Sequence, residues 1–231
     1  MTYGAFQIGT HKHLGPDQIE HLASLFNRPT HSTGLTLAGR TTVTIDTIDG
    51  VGPVAVKHYR RGGLVHLFVK QTYLRLGKTR CRLEYEMLDK VRHIGVGAPR
   101  PVAYATRGKL FYRCWLVTRE VPSHKTLAAI SMSDLKRAIS LIEPITQGVD
   151  RLIQNRILHV DLHPGNVLVD PDDHTYLIDF DRAGSYRWGG KALRNRYVAR
   201  WKRAVIKHRL PNVLWKEMQV RLLEKHTSCP P

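Results

Sequence analysis

Acidic residues are scarce in this 231-residue chain: 19 Asp and Glu stand against 36 Lys and Arg, a formal net charge of +17. That imbalance excludes a neutral surface and implies a polyanionic partner, whether nucleic acid, an anionic membrane or a phosphorylated substrate. Cysteine is scarce too. Cys81, Cys114 and Cys229 are odd in number and fit neither a metal-ligand nor a redox spacing, which predicts a reduced, cytosolic protein. No uncharged apolar run reaches the roughly 18 residues of a membrane span. The opening residues, Met1 to Gly15, lack the apolar core of a signal peptide. Neither an internal repeat nor a low-complexity linker is present. The hydrophobic fraction of 42% is that of a soluble globular chain, long enough for one large domain or a compact two-lobed one.

The positive charge is unevenly distributed. Eight Lys or Arg and no acid lie between Lys57 and Arg82, and ten with no acid between Arg182 and Arg209. Between these stretches sit the carboxylates from Asp161 to Asp181. Solvated helix faces account for part of the excess, but not for two acid-free stretches flanking a carboxylate cluster.

Local patterns predict a strand-rich first half and a helix-rich second half, an α+β arrangement in two lobes. Pro16-Asp17 opens a short helix that buries Ile19, Leu22, Leu25 and Phe26. Gly34 to Ala38, a turn at Gly39-Arg40 and Thr41 to Ile48 read as an antiparallel hairpin, followed by a strand at Val54 to Lys57. A helix is expected after Gly62-Gly63, with Leu64, Leu67, Phe68 and Leu74 as its apolar stripe. Arg82 to Val91 is a second, burying Leu83, Met87, Leu88 and Val91. Strands follow near Val102 to Thr106 and Leu110 to Thr118. Ser133 to Ile153 reads as one helix with Leu135, Ile139, Ile142 and Ile145 inward and a kink at Pro144. Short strands flank a turn at Pro171 to Asp173. Two helices close the chain: one with Leu193, Tyr197, Trp201, Ala204, Val205 and His208 as its stripe, the other from Leu214 to Lys225. Tyr197 and Trp201 read as core.

The chemistry concentrates in His159-Val160-Asp161-Leu162-His163-Pro164-Gly165-Asn166 and in Ile178-Asp179-Phe180-Asp181. Asp161 and Asn166 are five residues apart, and Asp179 lies thirteen beyond Asn166 at the end of an apolar strand. As isolated residues, Asp and Asn in loops are turn formers and caps. This combination suits phosphoryl transfer, which depends on positioning and charge neutralisation. Asn166 and Asp179 are hard oxygen donors of the kind Mg²⁺ takes. Asp161 is placed to accept the proton of an attacking hydroxyl. Lys57, at a strand end, suits the α- and β-phosphates of ATP, with a helix glutamate to hold it; spacing leaves Glu84, the favoured choice, and Glu86 both open. His159 braces the loop, and His163 either contacts substrate or braces it.

These residues resemble the catalytic loop and metal-binding strand end of protein-kinase-like enzymes, with both intervals preserved; Val-Ala-Val-Lys57 resembles their strand lysine, and Glu84 their helix glutamate. His163-Pro164-Gly165-Asn166 is also similar to small-molecule phosphotransferases, including those acting on aminoglycosides. The wider chain resembles the lipopolysaccharide inner-core sugar kinases, which phosphorylate 3-deoxy-D-manno-octulosonic acid (Kdo) or heptose. This resemblance rests on His58-Tyr59-Arg60-Arg61-Gly62-Gly63-Leu64, Tyr112 to Pro122 and Ile178 to Arg182, and it runs from about Gly34 to Lys207, with the Kdo kinases the nearer group.

The resemblance implies one kinase-like domain over 1-231: an N-terminal antiparallel-sheet lobe at about 30-121 and a small helical lobe at about 122-231. It implies Asp161, Lys57 and Glu84 as catalytic residues and ATP bound through Lys57, Asn166 and Asp179. The last two would hold Mg²⁺. Arg60, Arg61, His163 and Arg182 are the substrate-contact candidates. The implied acceptor is a hydroxyl of Kdo on an anionic lipid A precursor. The protein is expected to be a monomer, peripheral on an anionic membrane surface at the cytoplasmic side of the bacterial inner membrane, with no nucleic acid partner.

Several positions depart from these patterns. Gly34 and Gly39 are all that stands for a G-x-G-x-x-G loop. Asp181 replaces the glycine of D-F-G, Val160 replaces an arginine before the catalytic Asp, and no A-P-E follows; control by a phosphorylated activation loop is not expected. His163-Pro164-Gly165 differs from the tripeptide usual in Kdo kinases. Heptose, small-molecule or protein acceptors remain alternatives. So do a pseudokinase and a nucleic-acid-binding module built on Arg194, Arg196, Arg200, Lys202, Arg203 and Lys207.

Overall fold

The computed structural model describes residues 1–28, 42–59, 73–74, 77–187 and 189–224. It is α+β, and every strand pairing among these residues is antiparallel. The chain divides into two compact units: Met1–Asp89 with Arg100–Glu120, and Lys90–Pro99 with Val121–Pro231.

The first unit is a sheet backed by a helix. Strands β1 (Thr2–Tyr3), β2 (Phe6–Gly9), β3 (Thr42–Ile48), β4 (Gly52–His58), β5 (Tyr73–Leu74), β6 (Pro101–Arg107) and β7 (Phe111–Arg119) run in the order β1-β2-β6-β7-β4-β3, with β5 also on β7. Helix α1 (Pro16–Asn27) starts where sequence predicts. Pro16 occupies the first turn, where its missing N–H is no loss, and the Gln18 side chain accepts from Gly15 N at 2.9 Å. Its buried Leu22, Leu25 and Phe26 join a core with Phe6, Ile8, Val54, Val56 and Trp115. Phe6, Phe26 and Trp115 meet pairwise at 5.4 Å between ring centroids. Trp115 Nε1 donates to His58 Nδ1 at 2.9 Å, so the residue after Lys57 is anchored in that core. At the β6–β7 turn Gly108 has φ +104°, and a Cβ there would lie 2.2 Å from Phe111 O, so only glycine fits.

Several expectations change. The first arm and turn of the predicted hairpin, 34–40, and most of the helix expected after Gly63 lie outside the described residues, while Tyr73–Leu74 is a strand. The hairpin's second arm is the strand Thr42–Ile48, which pairs with Gly52–His58. Helix α2 (Arg80–His93) buries Cys81, Glu84, Tyr85, Leu88 and Val91 and leaves Leu83 47% exposed. Leu88 and Val91 are buried as predicted, whereas Leu83 faces outward and Met87 is only partly buried; Glu84 and Tyr85 take the inward places, because an ion-paired glutamate belongs to the buried face.

The second unit is mainly helical, with two small sheets: Thr175–Leu177 beside Val167–Val169 beside Lys125–Thr126, and Gly184–Ser185 beside Ile157–Leu158. Ser133 to Ile153 is not one kinked helix. It is the end of α3 (Leu127–Ser133), then α4 (Leu135–Ser140) and α5 (Ile142–Gln154). Asp134 separates the first two by accepting from Arg137 N at 3.0 Å, an N-cap inside an otherwise periodic run. Pro144 sits harmlessly in the first turn of α5, and Leu135 is exposed. Strands β8 (Lys125–Thr126), β9 (Ile157–Leu158), β10 (Val167–Val169), β11 (Thr175–Leu177) and β12 (Gly184–Ser185) bracket the loops of interest. Helix α6 (Gly190–Lys207) buries Leu193, Tyr197, Val198, Trp201, Ala204 and Val205, while His208 is its C-cap. Helix α7 (Val213–Gln219) continues as a π turn to Glu224.

The two faces of α2 make opposite predictions. Leu88→Ala is expected to lower unfolding free energy by about 2–4 kcal/mol, and Leu83→Ala by less than about 0.5 kcal/mol. Urea denaturation followed by circular dichroism checks this; equal losses would contradict the assignment of the buried face.

Candidate active site

In the first unit, strand alternation buries Val54, Val56 and His58 and turns Lys57 to the other face of β4. There its ammonium meets both carboxylate oxygens of Glu84, at 2.9 and 2.8 Å. The Tyr59 hydroxyl donates to the same carboxylate, and its ring centroid lies 4.9 Å from Lys57 Nζ. Glu84 is 2% exposed. A carboxylate so buried needs its cation, and removing either partner of such a pair typically costs about 3–5 kcal/mol. Glu86 points elsewhere, to Lys78 at 2.8 Å and Arg82 at 2.9 Å, near the surface. Of the two glutamates, Glu84 is the partner of Lys57.

In the second unit, the loop from Ile157 to Asn166 is held from three sides. From α6, the Tyr197 hydroxyl donates to Ile157 O and accepts from His159 N, both at 2.9 Å. Burial raises the Tyr197 pKa above the usual phenol range. His159 is buried, its ring 4.5 Å from that of Phe180. Its Nε2 lies 2.9 Å from Ile178 O; a carbonyl only accepts, so this nitrogen carries the proton. Burial holds His159 below its ordinary pKa, hence neutral: a brace between loop and strand.

His163 is also buried. Its Nδ1 accepts from Gly165 N at 3.0 Å, capping the 3₁₀ turn Pro164–Asn166, and burial pushes its pKa down to about 4. Of the two roles open from sequence, this geometry is that of a loop brace. Asn166, 5% exposed, donates from Nδ2 to the backbone carbonyl of Asp161 at 2.9 Å. The Asn166 backbone carbonyl accepts from Ile178 N at 3.0 Å. One residue further, Asp179 adopts a left-handed conformation with φ +67°, unusual for a residue with a Cβ and a small local strain.

Strand β11 is itself fixed by Leu177 N donating to Gly97 O at 2.8 Å, an approach so close that a Cβ on Gly97 would lie 2.1 Å from Thr175 O. Asp161, Asn166 and Asp179 are thus tied through backbone and side-chain hydrogen bonds. The Asn166 amide nitrogen is engaged by Asp161, which assigns its oxygen to any cation. That oxygen and the Asp179 carboxylate are hard donors of the type that could hold Mg²⁺.

The Asp161 carboxylate is half-exposed and pairs with Arg200 of α6. Arg182 is exposed; Arg60 and Arg61 lie outside the described residues. Two contributors were not legible as site residues. Tyr197 reads as core, and Arg200 as one of several phosphate-contacting cations. Their three-residue spacing, which puts both on one helix face, is the signal that connects them to one loop. The basic α6 residues are largely engaged within the fold: Arg194 lies 3.8 Å from Asp150, Arg196 bonds Tyr186 at 3.0 Å, and Lys202 lies 4.2 Å from the Trp215 ring centroid.

A histidine held neutral makes stability depend on pH. Below about 6.5 the unfolded chain takes a proton that folded His163 refuses until about 4, so stability falls as pH drops through this window, by at most about 3 kcal/mol from this group. His163→Asn keeps an oxygen for Gly165 N, and a shallower loss of stability between pH 6.5 and 4 is expected in urea titrations. An unchanged slope would show that His163 is not held neutral.

The sequence pattern of the lipopolysaccharide kinase (Kdo/WaaP) family matches residues 37–221. A 3-deoxy-D-manno-octulosonic acid kinase of Vibrio parahaemolyticus serotype O3:K6 is 30% identical over 192 residues, 81% of this chain and 77% of that protein. The Photobacterium profundum protein of the same name is 35% identical over 162 residues, 67% of this chain and 66% of its own length. For that of Vibrio vulnificus (strain YJ016) the identity is 31% over 173 residues, covering 73% and 72%. With four fifths of its length matched by one family pattern, the chain belongs to the lipopolysaccharide kinase (Kdo/WaaP) family.

Proposed function

We propose that this protein transfers the γ-phosphate of ATP to a hydroxyl of Kdo on a lipid A precursor, with Asp161 as the base. Membership in a kinase family makes it a phosphotransferase acting on an alcohol group, and relatives at 30–35% identity carry the name Kdo kinase. The observation that carries the mechanistic reading is the hydrogen-bonded set in the second unit. The Asn166 side chain holds the Asp161 backbone, and the Asn166 backbone holds the residue before Asp179.

In this reading the two units are the lobes of a protein-kinase-like domain. Asp161 receives the proton of the attacking sugar hydroxyl, within hydrogen-bond reach as general-base catalysis requires. Lys57, oriented by Glu84 and Tyr59, neutralises the α- and β-phosphates. Asn166 and Asp179 would hold Mg²⁺, which supplies neutralisation of the phosphate charge. His159, His163 and Tyr197 keep the loop in place, so little reorganisation accompanies the reaction. Arg60, Arg61 and Arg182 are proposed to meet the anionic glycolipid. No helix among the described residues is long and apolar enough to cross a membrane. A charge of +17 supports peripheral attraction to the anionic cytoplasmic surface of the inner membrane, weakened by salt. A monomer suffices, since both residue clusters come from one chain.

The test is transfer of labelled phosphate from Mg·ATP to purified Kdo-bearing lipid A precursor, beside the same precursor lacking Kdo. Label is expected on the Kdo-bearing lipid alone, with Asp161→Ala lowering kcat by about 10³-fold. Equal labelling of both lipids, or undiminished transfer by the variant, would overturn the acceptor or the base respectively. In the same assay Lys57→Met is expected to lose most transfer and, by stranding Glu84, to lower stability by about 3–5 kcal/mol. Full activity of that variant would remove Lys57 from the site.

A further inference from the structure

We propose that Arg200 recognises the carboxylate of the acidic sugar acceptor, and that it leaves Asp161 to do so. The inference rests on the reading of Asp161 as base and of a sugar acid as acceptor. It begins from a feature that reading does not use: the carboxylate meant to take a proton from the acceptor is already occupied, through Oδ1, by an Arg200 guanidinium nitrogen.

The pair is not a buried structural bridge. The Asp161 side chain is 41% exposed and that of Arg200 28%, so both remain open to an incoming molecule. Nor is Arg200 loosely placed. It lies one helical turn after Tyr197, whose hydroxyl fixes both ends of the peptide segment leading to Asp161, and one residue before Trp201, which is fully buried. The backbone of α6 therefore sets where this guanidinium begins, while its long side chain allows it to turn.

A guanidinium carries five N–H donors in a planar fork matched to a carboxylate. Among the described residues, its one hydrogen bond to protein is that to Asp161. Donors thus remain for a second anion on the solvent side. A hydroxyl hydrogen-bonded to Asp161 brings the rest of its sugar ring beside Arg200, and on a sugar acid the ring bears a carboxylate.

Exchange of one carboxylate for another then has a catalytic consequence. While Arg200 donates to Oδ1, it competes with the acceptor hydroxyl for the lone pairs of the base. Once it turns to the acceptor's carboxylate, Oδ1 is released to the hydroxyl and the acceptor is oriented by a two-pronged contact. The acceptor hydroxyl then takes the place of the guanidinium on the half-exposed Asp161 carboxylate. A neutral sugar offers Arg200 nothing to turn to, so it meets an occupied base. The device links recognition of an acid to exposure of the base, which discriminates more strongly than a contact remote from the chemistry.

The experiment compares kcat/KM for Kdo-bearing lipid A precursor and for the same lipid with the Kdo carboxylate converted to its carboxamide, using wild type, Arg200→Gln and Arg200→Lys. Wild type is expected to prefer the acid by about 100-fold, the size typical of a charge pair broken at a recognition site. In Arg200→Gln the preference should shrink to within about threefold, with the loss on the acid falling chiefly in KM. Arg200→Lys, which keeps the charge and guards against misfolding of the glutamine variant, should lie between them. Two outcomes would overturn the proposal: no acid preference in wild type, or a variant that slows on both acceptors while keeping the full preference, the mark of a brace alone. If wild type labels neither lipid, the underlying reading of the acceptor fails as well, which separates that failure from failure of the Arg200 assignment.

Discussion

The second unit depends on one hydroxyl. Tyr197 of α6 accepts from the backbone of His159 and donates to that of Ile157, so a helix packed through Trp201, Ala204 and Val205 holds the start of a loop that has little regular structure of its own. Buried backbone groups outside helix and sheet must find partners, and here a side chain supplies two of them. From that anchor the rest follows in short steps. His159 reaches Ile178, the His163 ring caps the Pro164 turn, and Asn166 clasps the carbonyl of Asp161. Together these contacts fix the backbone around Asp161, Asn166 and Ile178, and so the place of the three polar residues proposed to serve as base and cation ligands.

Charge is handled differently in the two units. In the first, Lys57 and Glu84 form a pair with a nearly fully buried acid, reinforced by Tyr59, and such a pair resists rearrangement because either partner alone would be stranded in low dielectric. In the second, Asp161 and Arg200 are both partly in water, where screening makes an ion pair weak and exchange of partners easy. A fixed pair suits the role proposed for Lys57, holding phosphates in one position. A loose pair suits the exchange of partners proposed for Arg200. The large positive charge of the chain is in part internal: several of the α6 cations meet acids or rings of the same unit.

Legibility from sequence followed the range of the interactions. His159, Asp161, Asn166 and Asp179 lie within a short stretch, and the bonds joining them are short-range, so spacing alone exposes the set. Glu84 and Glu86 could not be separated by spacing, since both lie on α2 among apolar residues; burial separates them, and it places Glu84 inward where Leu83 was expected. The break at Asp134 was hidden because its apolar neighbours keep helical periodicity across it. Tyr197 and Arg200 act over 38 and 39 residues of separation, and no local pattern tells which hydroxyl or guanidinium of a helix reaches a distant loop. The expected glycine-poor phosphate loop at Gly34 and Gly39 and the Arg60-Arg61 pair lie outside the described residues. The strand order around β7 was likewise beyond local reading, whereas the strands themselves were legible from alternation.

Helix α6 supports the loop that carries the proposed base Asp161, and steady-state kinetics of Tyr197→Phe on the Kdo-bearing lipid test this support most directly. The substitution removes one oxygen and leaves the ring in the core. It is predicted to lower kcat by at least about tenfold, as a displaced base would, while KM for ATP changes little. A variant with wild-type kcat would contradict the account, because the loop would then hold Asp161 in place without its anchor.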